Sequence, residues 1–336
     1  MTIREIAALA GVSPASVSLV INDKKGVGEE TRQKVLEVIR QHNYPVTSKR
    51  RRAQRPRVML LKFHNHGFAE ENQGFIAAII DRIERECHRC GLELVNARCD
   101  AADARNTLPV QMSDPPDGVL LVGTELLPEH YPLLDLIPAP TVVLDNDLHY
   151  GGVDSVTMAN EAIAADAVDY LYRLGHRDIG YIQFNLPVHN CQQRYKGYLQ
   201  RMAALGLPVP EPCVVGPTMN TAYESMKRII AENRFRPHTA LLADSDSVAI
   251  GACKAFLEAG YHIPGDFSLI GVDDIPFSAV SIPALTTMRV SRSTLGTLAV
   301  ELLRARLKNP SWPPVHLQID GHLIERKSCA AGGRAE

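Results

Sequence analysis

Polar side chains that could bind a small molecule follow five short apolar runs of the chain. They are Thr124, Asp145-Asn146, Gln183, Asp244-Ser245-Asp246 and Asp273-Asp274. Hydroxyl, amide and carboxylate groups can hold a hydroxyl-rich or heterocyclic molecule through directional hydrogen bonds. Because strand ends are exposed and polar in most proteins, solvation explains any single one of these residues equally well.

Cysteines and catalytic motifs give weaker signals. Cys87 and Cys90 have the CxxC spacing of zinc and redox sites, but they lie in a predicted amphipathic helix and lack a second cysteine pair. The seven cysteines are scattered, which favours reduced thiols. The sequence has no GxGxxG after a strand, no P-loop, no HExxH and no GxSxG. We therefore expect no catalytic residues, no metal and no cofactor, although missing motifs weaken an enzyme hypothesis without excluding it.

The first 22 residues predict two short helices joined by a tight turn. Thr2 and Glu5 have the spacing of a capping box. Gly11 supplies the turn, and Ser13 followed by Pro14 is a favourable helix start. This layout matches a helix-turn-helix, whose second helix enters the major groove of DNA.

The second helix has one apolar face and one face of small, uncharged side chains. The apolar residues are Val17, Val20 and Ile21, and the opposite ones are Ala15, Ser18, Leu19 and Asn22. A helix of this kind can pack on its own domain and still approach another surface closely. A third head helix is predicted from about residue 29 to 42, with acidic residues at its start.

Charge is distributed unevenly along the chain. Residues 1–57 carry 12 Lys and Arg against 5 Asp and Glu, whereas the remainder carries 24 against 33. A basic head on an acidic body indicates that the head alone meets a polyanion. The segment 47–57 is especially basic, with Lys49, Arg50, Arg51, Arg52, Arg55 and Arg57. Such a density contacts phosphates or stays solvated, and both can hold, in the bound and the free state.

From residue 58 onward, short apolar runs alternate with longer helical patterns. The runs are 58–63, 92–95, 119–122, 141–144, 179–182, 239–243 and 267–272. Strands that are apolar on both faces belong to parallel sheets covered by helices. The number of alternations favours two doubly wound lobes over one.

No stretch reaches the ~18 apolar residues of a membrane span, and no signal peptide opens the sequence. We therefore expect a cytoplasmic protein. A periplasmic small-molecule carrier is the main alternative of another class, but it would need such a signal and has no use for a basic head. A two-lobed enzyme is the third hypothesis, and it would have to turn over its bound molecule.

Several motifs together resemble the lactose/galactose-repressor (LacI/GalR) family of bacterial transcription regulators. In the head they are TIREIA at 2–7, GVSPASVS at 11–18 and Asn22. In the body they are LGHR at 174–177, RYKG at 194–197, IP at 263–264, SLIG at 268–271 and ALTT at 284–287. The resemblance implies an all-α helix-turn-helix head and an α/β body of two doubly wound, parallel-sheet lobes of the periplasmic-binding-protein-like type.

The resemblance also implies domain boundaries. The DNA-binding head would span 1–46, a basic hinge linker 47–57, the effector-binding and dimerisation domain 58–330, and a tail 329–336. Lobe one is expected from about 58–158 and 290–313, and lobe two from about 159–289 and 314–328. Residues 326–336 lack a leucine heptad, so a dimer rather than a tetramer is expected.

For DNA, the resemblance implies three groups of residues. Bases would be read by Pro14, Ala15 and Leu19, and phosphates would be contacted by Thr2, Ser16, Ser18 and Asn22. The hinge would use Arg50, Arg51, Arg52 and Ala53 at the minor groove. Leu19 cannot form a bidentate bond to guanine, so apolar contact with thymine methyl groups is expected, with packing inside the head as the alternative. Ala53 stands where the family has a wedging leucine, which predicts a weaker kink in the DNA.

For an effector, the resemblance points first to Arg194 and Asp273, whose alternative role is an ion pair between the lobes. Phe68 aligns with a position that stacks on ligand rings, although a core aromatic explains it almost as well. Second-rank candidates are Thr124, Asn190, Ser245 and Asp246. The loop histidines His64, His66 and His189 are better explained by solvation. Ala159 stands where relatives often have aspartate.

These inferences combine into one hypothesis, a ligand-responsive regulator that is most simply a repressor. A homodimer, formed largely through lobe one, would place two heads one helical turn apart on a pseudo-palindromic operator in double-stranded DNA. A small molecule between the lobes would alter the dimer and therefore its DNA affinity. The resemblance favours a sugar or sugar derivative, with a purine or nucleoside second. Effectors that release DNA and effectors that promote binding both occur on this scaffold.

Overall fold

A computed structural model describes residues 2–21, 26–42, 55–67 and 74–332. The chain forms two compact units, a head that ends at Pro56 and a body that begins at Arg57. Some predicted functional residues lie outside the described ranges, namely Asn22, Arg50, Arg51, Arg52, Ala53 and Phe68. Within those ranges no single helix is long and apolar enough to cross a membrane, and only the bent pair Ile3–Ala10 with Pro14–Ile21 meets the length and composition of a span.

The described residues of the head form three short helices, α1 (Ile3–Ala10), α2 (Pro14–Ile21) and α3 (Glu29–Gln41). The predicted capping box is present, because the Glu5 carboxylate accepts from the Thr2 backbone N–H at 2.6 Å and Thr2 Oγ1 accepts from the Glu5 N–H at 3.4 Å. Gly11 ends α1 at a φ of 66°, which glycine adopts without steric cost. The core of the head contains Ile6, Ala7, Val17, Val20, Ile21, Val35 and Ile39.

Lobe one of the body is a helix-covered sheet. Its strands are β1 (Arg57–His64), β2 (Glu93–Asp100), β3 (Gly118–Val122), β4 (Thr141–Leu144), β5 (Asp154–Met158) and β11 (His316–Ile319). Its helices are α4 (Phe75–Arg89), α5 (Ala104–Gln111) and α11 (Arg292–Lys308), with 3-10 turns at Ala101–Asp103 and Pro128–Leu136. The strand order is β11-β5-β4-β3-β1-β2, and the pairs β1–β3, β3–β4, β4–β5 and β5–β11 are parallel.

Lobe two repeats the architecture. Its strands are β6 (Ile179–Phe184), β7 (Cys213–Val215), β8 (Ala240–Ala243), β9 (Ser268–Asp273), β10 (Thr286–Arg289) and β12 (His322–Ile324). Its helices are α6 (Asn160–Arg173), α7 (His189–Ala204), α8 (Met219–Ala231), α9 (Asp246–Glu258) and α10 (Pro276–Val280). The order is β12-β10-β9-β8-β6-β7, with β12 antiparallel to β10 and the other pairs parallel. A helical head with two parallel-sheet lobes confirms the predicted fold class.

The division between the lobes differs from the prediction at one point. The sequence assigns all of 314–328 to lobe two, but β11 joins the edge of the lobe one sheet, so the last crossing falls between Ile319 and His322. The reason is a buried salt bridge in which Arg306 donates to Asp154 at 2.7 and 2.9 Å. Asp154 also accepts from the Val315 N–H at 2.8 Å, which fixes the start of β11 beside β5.

Candidate functional site

The carboxyl ends of strands from both sheets meet at one cleft. Six polar residues line a cavity of about 30 Å³ there: Thr124, Asp145, Asn190, Arg194, Ser245 and Asp273. Thr124 and Asp145 follow β3 and β4 of lobe one, and the other four belong to lobe two. Apolar walls come from Phe75, Ile76, Met158, Phe184 and Val188. Open α/β sheets bind ligands at this end of their strands.

Arg194 is the central cation of the cleft, although only 4% of it is exposed. Its guanidinium donates to Asn160 Oδ1 at 2.8 Å and to Cys191 Sγ at 2.9 Å. Its buried Nε–H has no hydrogen-bond partner within the described structure. Burial works against the charge, but Cys191, Asp273 and Asp244 raise the pKa of the guanidinium above its ordinary value. Arg194 is therefore a charged, buried donor whose Nε–H is left unused by the described residues.

The ion pair considered for Arg194 and Asp273 is not formed among the described residues. Asp273 lies at the end of β9, is 4% exposed, and its carboxylate accepts no hydrogen bond from the part of the chain that is described. Burial raises its pKa well above the ordinary value, while the charge of Arg194 opposes that shift. A buried acceptor without a donor is costly in a folded protein and is available to a ligand.

The backbone beside Asp273 is strained and firmly held. Asp273 and Asp274 have φ angles of 113° and 52°, which L-residues other than glycine seldom adopt. Asp274 accepts from Arg289 at 2.5 Å and from Arg326 at 2.6 Å. These two ion pairs fix the strand end and hence the direction of the Asp273 side chain. Strain maintained by its surroundings is typical of binding sites.

A chain of amide contacts joins the two lobes. Asn190 of lobe two donates to Asp145 Oδ1 of lobe one at 2.8 Å, and Thr124 donates to Asp145 Oδ2 at 2.7 Å. Asn160 donates to Asn190 at 3.0 Å and accepts from Arg194, so Arg194 is connected to the contact between the lobes. Burial raises the pKa of Asp145 to about 6. A group that displaces any of these contacts changes the balance between lobe arrangements.

Asp246 lies away from the cleft, contrary to its place among the effector candidates. Its fully buried carboxylate accepts from Ser278 Oγ at 2.5 Å, Thr287 Oγ1 at 2.6 Å and the Ile275 N–H at 3.1 Å. Burial raises its pKa to about 7. Asp246 is the first residue of α9, where its side chain turns into lobe two and joins α10 to β10. These contacts hold α9, α10 and β10 together, so Asp246 acts as a structural clamp between them.

The three loop histidines differ in their surroundings. His66 is exposed, as solvation requires, but His64 is only 6% exposed, so its interpretation as a solvated residue is wrong. His64 is the last residue of β1. In the loop that follows it, the backbone N–H groups of residues 65–67 donate to the buried carboxylate of Glu125 at 2.6–2.9 Å. His189 starts α7 half-buried, and burial lowers its pKa.

Sequence reasoning missed Asn160, which connects Arg194 to Asn190. It follows the end of β5 closely, so the strand-end rule that found Thr124 could have found it. The sequence does not indicate a buried strand before Asn160, because β5 (Asp154–Met158) contains Asp, Ser and Thr. Ala159 precedes Asn160 and is buried.

The helix α2 presents the predicted surface in the head. Val17, Val20 and Ile21 are buried, while Pro14 and Ala15 are exposed. Leu19 is half-buried and packs beside Gly26. A Cβ atom at Gly26 would lie 3.6 Å from the Cδ1 of Leu19. It therefore contacts the head and also keeps an accessible surface.

Two proposed phosphate-contacting hydroxyls take part in helix starts. Ser16 Oγ lies 2.9 Å from Ser13 Oγ, and Thr2 Oγ1 caps α1. A hydroxyl that accepts one hydrogen bond can still donate another. Ser18 is half-buried on the same helix.

Two family models match the chain. Residues 2–45 match bacterial regulatory proteins of the lacI family, and residues 168–329 match a periplasmic binding protein-like domain. Among solved structures, the complex of the transcriptional regulator CelR with cellobiose has a TM-score of 0.72 over 98% of this chain and 99% of that one. At 24% identity, that likeness shows the fold.

Similar sequences extend over the whole length. The HTH-type transcriptional repressor PurR of Mannheimia succiniciproducens is 31% identical, covering 97% of this chain and 98% of its own. The ribose operon repressor of Escherichia coli K12 is 29% identical over 97% and 99% of the two chains. The family resemblance of the sequence is thereby confirmed, and the chain belongs to the LacI family of bacterial regulatory proteins.

Proposed function

We propose that this protein is a repressor whose affinity for its operator is set by a sugar-type molecule bound between the lobes. Membership of the LacI family makes it a DNA-binding transcription regulator with an effector-binding body. One observation supports the ligand assignment most strongly. Buried Arg194 and buried Asp273 line one cleft, and each has hydrogen-bonding capacity that the described residues leave unused.

A sugar suits this pair because each hydroxyl both donates and accepts. One hydroxyl can accept from the Arg194 Nε–H while its neighbour donates to Asp273. Phe75 and Phe184 on the cleft wall can cover the apolar face of a sugar ring. They would also stack on a purine or nucleoside, which is the second candidate. The similar CelR structure is a complex with cellobiose, and one relative is a ribose operon repressor.

Entry of a sugar requires the lobes to separate. The cavity of about 30 Å³ is a tenth of the ~300 Å³ at the lower end of ligand pockets. The contact from Asn190 to Asp145 crosses between the lobes, so a bound molecule that replaces it selects another lobe arrangement. An effector changes DNA binding only through its different affinities for these arrangements.

We propose that the operator-binding form is a homodimer in which lobe two contributes as well as lobe one. Four apolar side chains of lobe two are strongly exposed: Leu257 (40%), Phe277 (47%), Val280 (73%) and Ile282 (82%). Cys253 Sγ of α9 lies 3.8 Å from the Ile282 carbonyl oxygen, which brings the two segments together. Contiguous exposed apolar surface is typical of a protein interface. A second copy of the chain is the occupant that a two-fold operator requires.

Pro14, Ala15 and Leu19 are proposed to contact bases, and Thr2, Ser16, Ser18 and Asn22 to contact phosphates. The basic hinge with Arg50, Arg51, Arg52 and Ala53 is proposed to lie at the minor groove between two half-sites. Selection from a random duplex pool tests the base contacts. The wild type should yield a palindromic site, and Leu19→Arg should yield a different base at one symmetric position. Unchanged preference in Leu19→Arg, with the head still folded, would contradict the role of Leu19.

Thermal unfolding with a small-molecule panel tests the effector. We expect one of D-ribose, D-glucose and cellobiose to raise the melting temperature by mass action and to change operator affinity. Adenosine and hypoxanthine form the comparison set. If only the purine compounds act, the sugar assignment is wrong while the repressor function stands.

We also propose that the protein acts in the cytoplasm, where its DNA target lies, and catalyses no reaction. The stabilising compound should be recovered chemically unchanged after prolonged incubation with the purified protein. Conversion of many molecules of the compound per protein chain would instead support the enzyme hypothesis.

A further inference from the structure

A second and much larger cavity lies at the opposite end of lobe two. It borders the amino ends of β6 and β8 and the edge strand β7, and it measures about 490 Å³. Ligand pockets usually measure about 300–1,000 Å³. The cleft between the lobes lies at the carboxyl ends of the strands and shares no lining residue with this cavity, so the cavity is a different site.

The cavity exists because the edge strand is short. β7 pairs with β6 only from Ile182 to Phe184, whereas β8 pairs with β6 from Ile179 onward. Pro210 and Pro212 precede β7 and line the cavity. Proline lacks the N–H that a longer strand would need. The first half of β6 therefore has a strand on one side and a cavity on the other.

The apolar residues that line the cavity differ in how much surface they offer. Tyr181 and Leu241 are at most 1% exposed and lie beneath the surface, whereas Ile229 is 9% exposed. Phe235 forms one wall and is fixed by ring contacts, with its centroid 4.7 Å from that of Phe256. Val214 stands at the mouth and is 49% exposed. Such a surface fits a ring or a short hydrocarbon chain.

The rim is polar, and its two arginines, Arg234 and Arg236, lie among the carboxylates of Glu211, Glu232 and Asp178. Arg234 pairs with Glu232 at 2.6 Å, whereas exposed Arg236 has no ion-pair partner among the described residues. His238 Nδ1 lies 2.7 Å from Asp178, and its Nε2 receives no hydrogen bond within the same ranges. Of these three acidic residues, Glu211 is the one that lines the cavity.

We propose that this cavity is a second ligand site, for a small apolar molecule that carries one anionic group. The ring or chain would lie against Val214, Phe235 and Ile229, and the anion would bind Arg236. The assignment does not depend on the identity of the effector in the cleft between the lobes.

Two fluorescent probes test the proposal on the full-length protein. One is 1-anilinonaphthalene-8-sulfonate, and the other is N-phenyl-1-naphthylamine, which has the same rings without the sulfonate. We expect saturable binding of the sulfonate near one per chain. Val214→Trp should fill the mouth and weaken both probes at least about tenfold, which corresponds to about 1.4 kcal/mol. Val110→Trp, at an exposed valine of lobe one, is the matched control and should bind like the wild type.

The charge is tested separately. Arg236→Gln should weaken the sulfonate about threefold, as expected for an exposed ion pair, and leave the neutral probe unchanged. Arg228→Gln, an exposed arginine of α8 outside the cavity, should change neither. Wild-type affinity in folded Val214→Trp would overturn the site. If Arg236→Gln weakened both probes equally, or weakened neither, the preference for an anion would be overturned. This test does not depend on the folding of Val214→Trp.

Discussion

Two buried aspartates of lobe two, Asp246 and Asp273, show opposite uses of the same side chain. Asp246 accepts from two hydroxyls and one backbone N–H, so its oxygens are satisfied by the fold. Asp273 accepts from none of the described residues and faces the cleft with Arg194. Both carboxylates are buried, and burial raises both pKa values. The two residues differ in the number of hydrogen-bond donors around their carboxylates.

The number of hydrogen-bond partners therefore distinguishes buried charges that stabilise the fold from buried charges that are available for binding. A fully hydrogen-bonded carboxylate stabilises the packing around it, whereas an unpartnered one lowers stability. A protein retains the second kind where a ligand completes the hydrogen bonds. Substitutions at these and neighbouring carboxylates should separate the two kinds experimentally.

Asp246→Ala should have the largest effect. Ser278, Thr287 and the Ile275 N–H would lose their acceptor, so the free energy of unfolding should fall by about 3 kcal/mol. Urea unfolding followed by circular dichroism measures this. Asp320→Ala, at an exposed aspartate, is the control and should change stability little. Equal stability of Asp246→Ala and wild type would show that Asp246 is not a clamp.

The pH dependence at Asp145 should be next in size. Its pKa rises from about 4 in the unfolded chain to about 6 in the folded chain through burial, although Thr124, Arg194 and Asn190 oppose the shift. The folded state thus holds the proton more tightly. The resulting stability is complete below pH 4 and is lost as the pH rises through 6, by roughly 2–3 kcal/mol.

Urea unfolding of Asp145→Asn between pH 4 and pH 7 tests this. The free energy of unfolding of this variant should fall less over that range than that of the wild type, because the contribution of Asp145 is absent. Asp81→Asn, at an exposed helical aspartate, should keep it. A wild-type pH profile in Asp145→Asn would contradict the proposed protonation of this carboxylate.

Asp273→Asn should have a smaller effect, of opposite sign to that of Asp246→Ala. Asparagine tolerates a positive φ and carries no charge, so removing an unpartnered carboxylate should raise the free energy of unfolding by about 1 kcal/mol. The same variant should lose the response of operator binding to the effector. A loss of stability as large as that of Asp246→Ala would remove the distinction between the two residues.

The central part of the fold is readable from the sequence because its strands are apolar on both faces. Each of the seven predicted runs overlaps a strand, namely β1 to β4, β6, β8 and β9. β5 does not look like a buried strand in the sequence because its buried Asp154 has its charge partner, Arg306, 152 residues away. The same distant pair places β11 in lobe one, so local pattern could not assign it.

The site is partly readable for a similar reason. Polar residues after buried strands led to Thr124, Ser245 and Asp273, because parallel strands end at one edge of a sheet. Arg194 lies in the middle of α7 and was indicated only by the family resemblance. Asp246 follows Ser245 by one position, yet helix geometry turns its side chain into the core. Sequence proximity to a strand end does not fix that direction.

Calorimetric titration of the most stabilising sugar into wild-type and Arg194→Lys protein is the decisive experiment for the cleft between the lobes. Lysine keeps the charge but has no counterpart of the Nε–H of arginine in the same place. We predict at least about tenfold weaker sugar binding. Arg201→Gln, an arginine of the same helix that pairs with Asp169, should bind as the wild type does. Equal sugar affinity in folded Arg194→Lys would contradict the proposal that the effector binds between the lobes at Arg194.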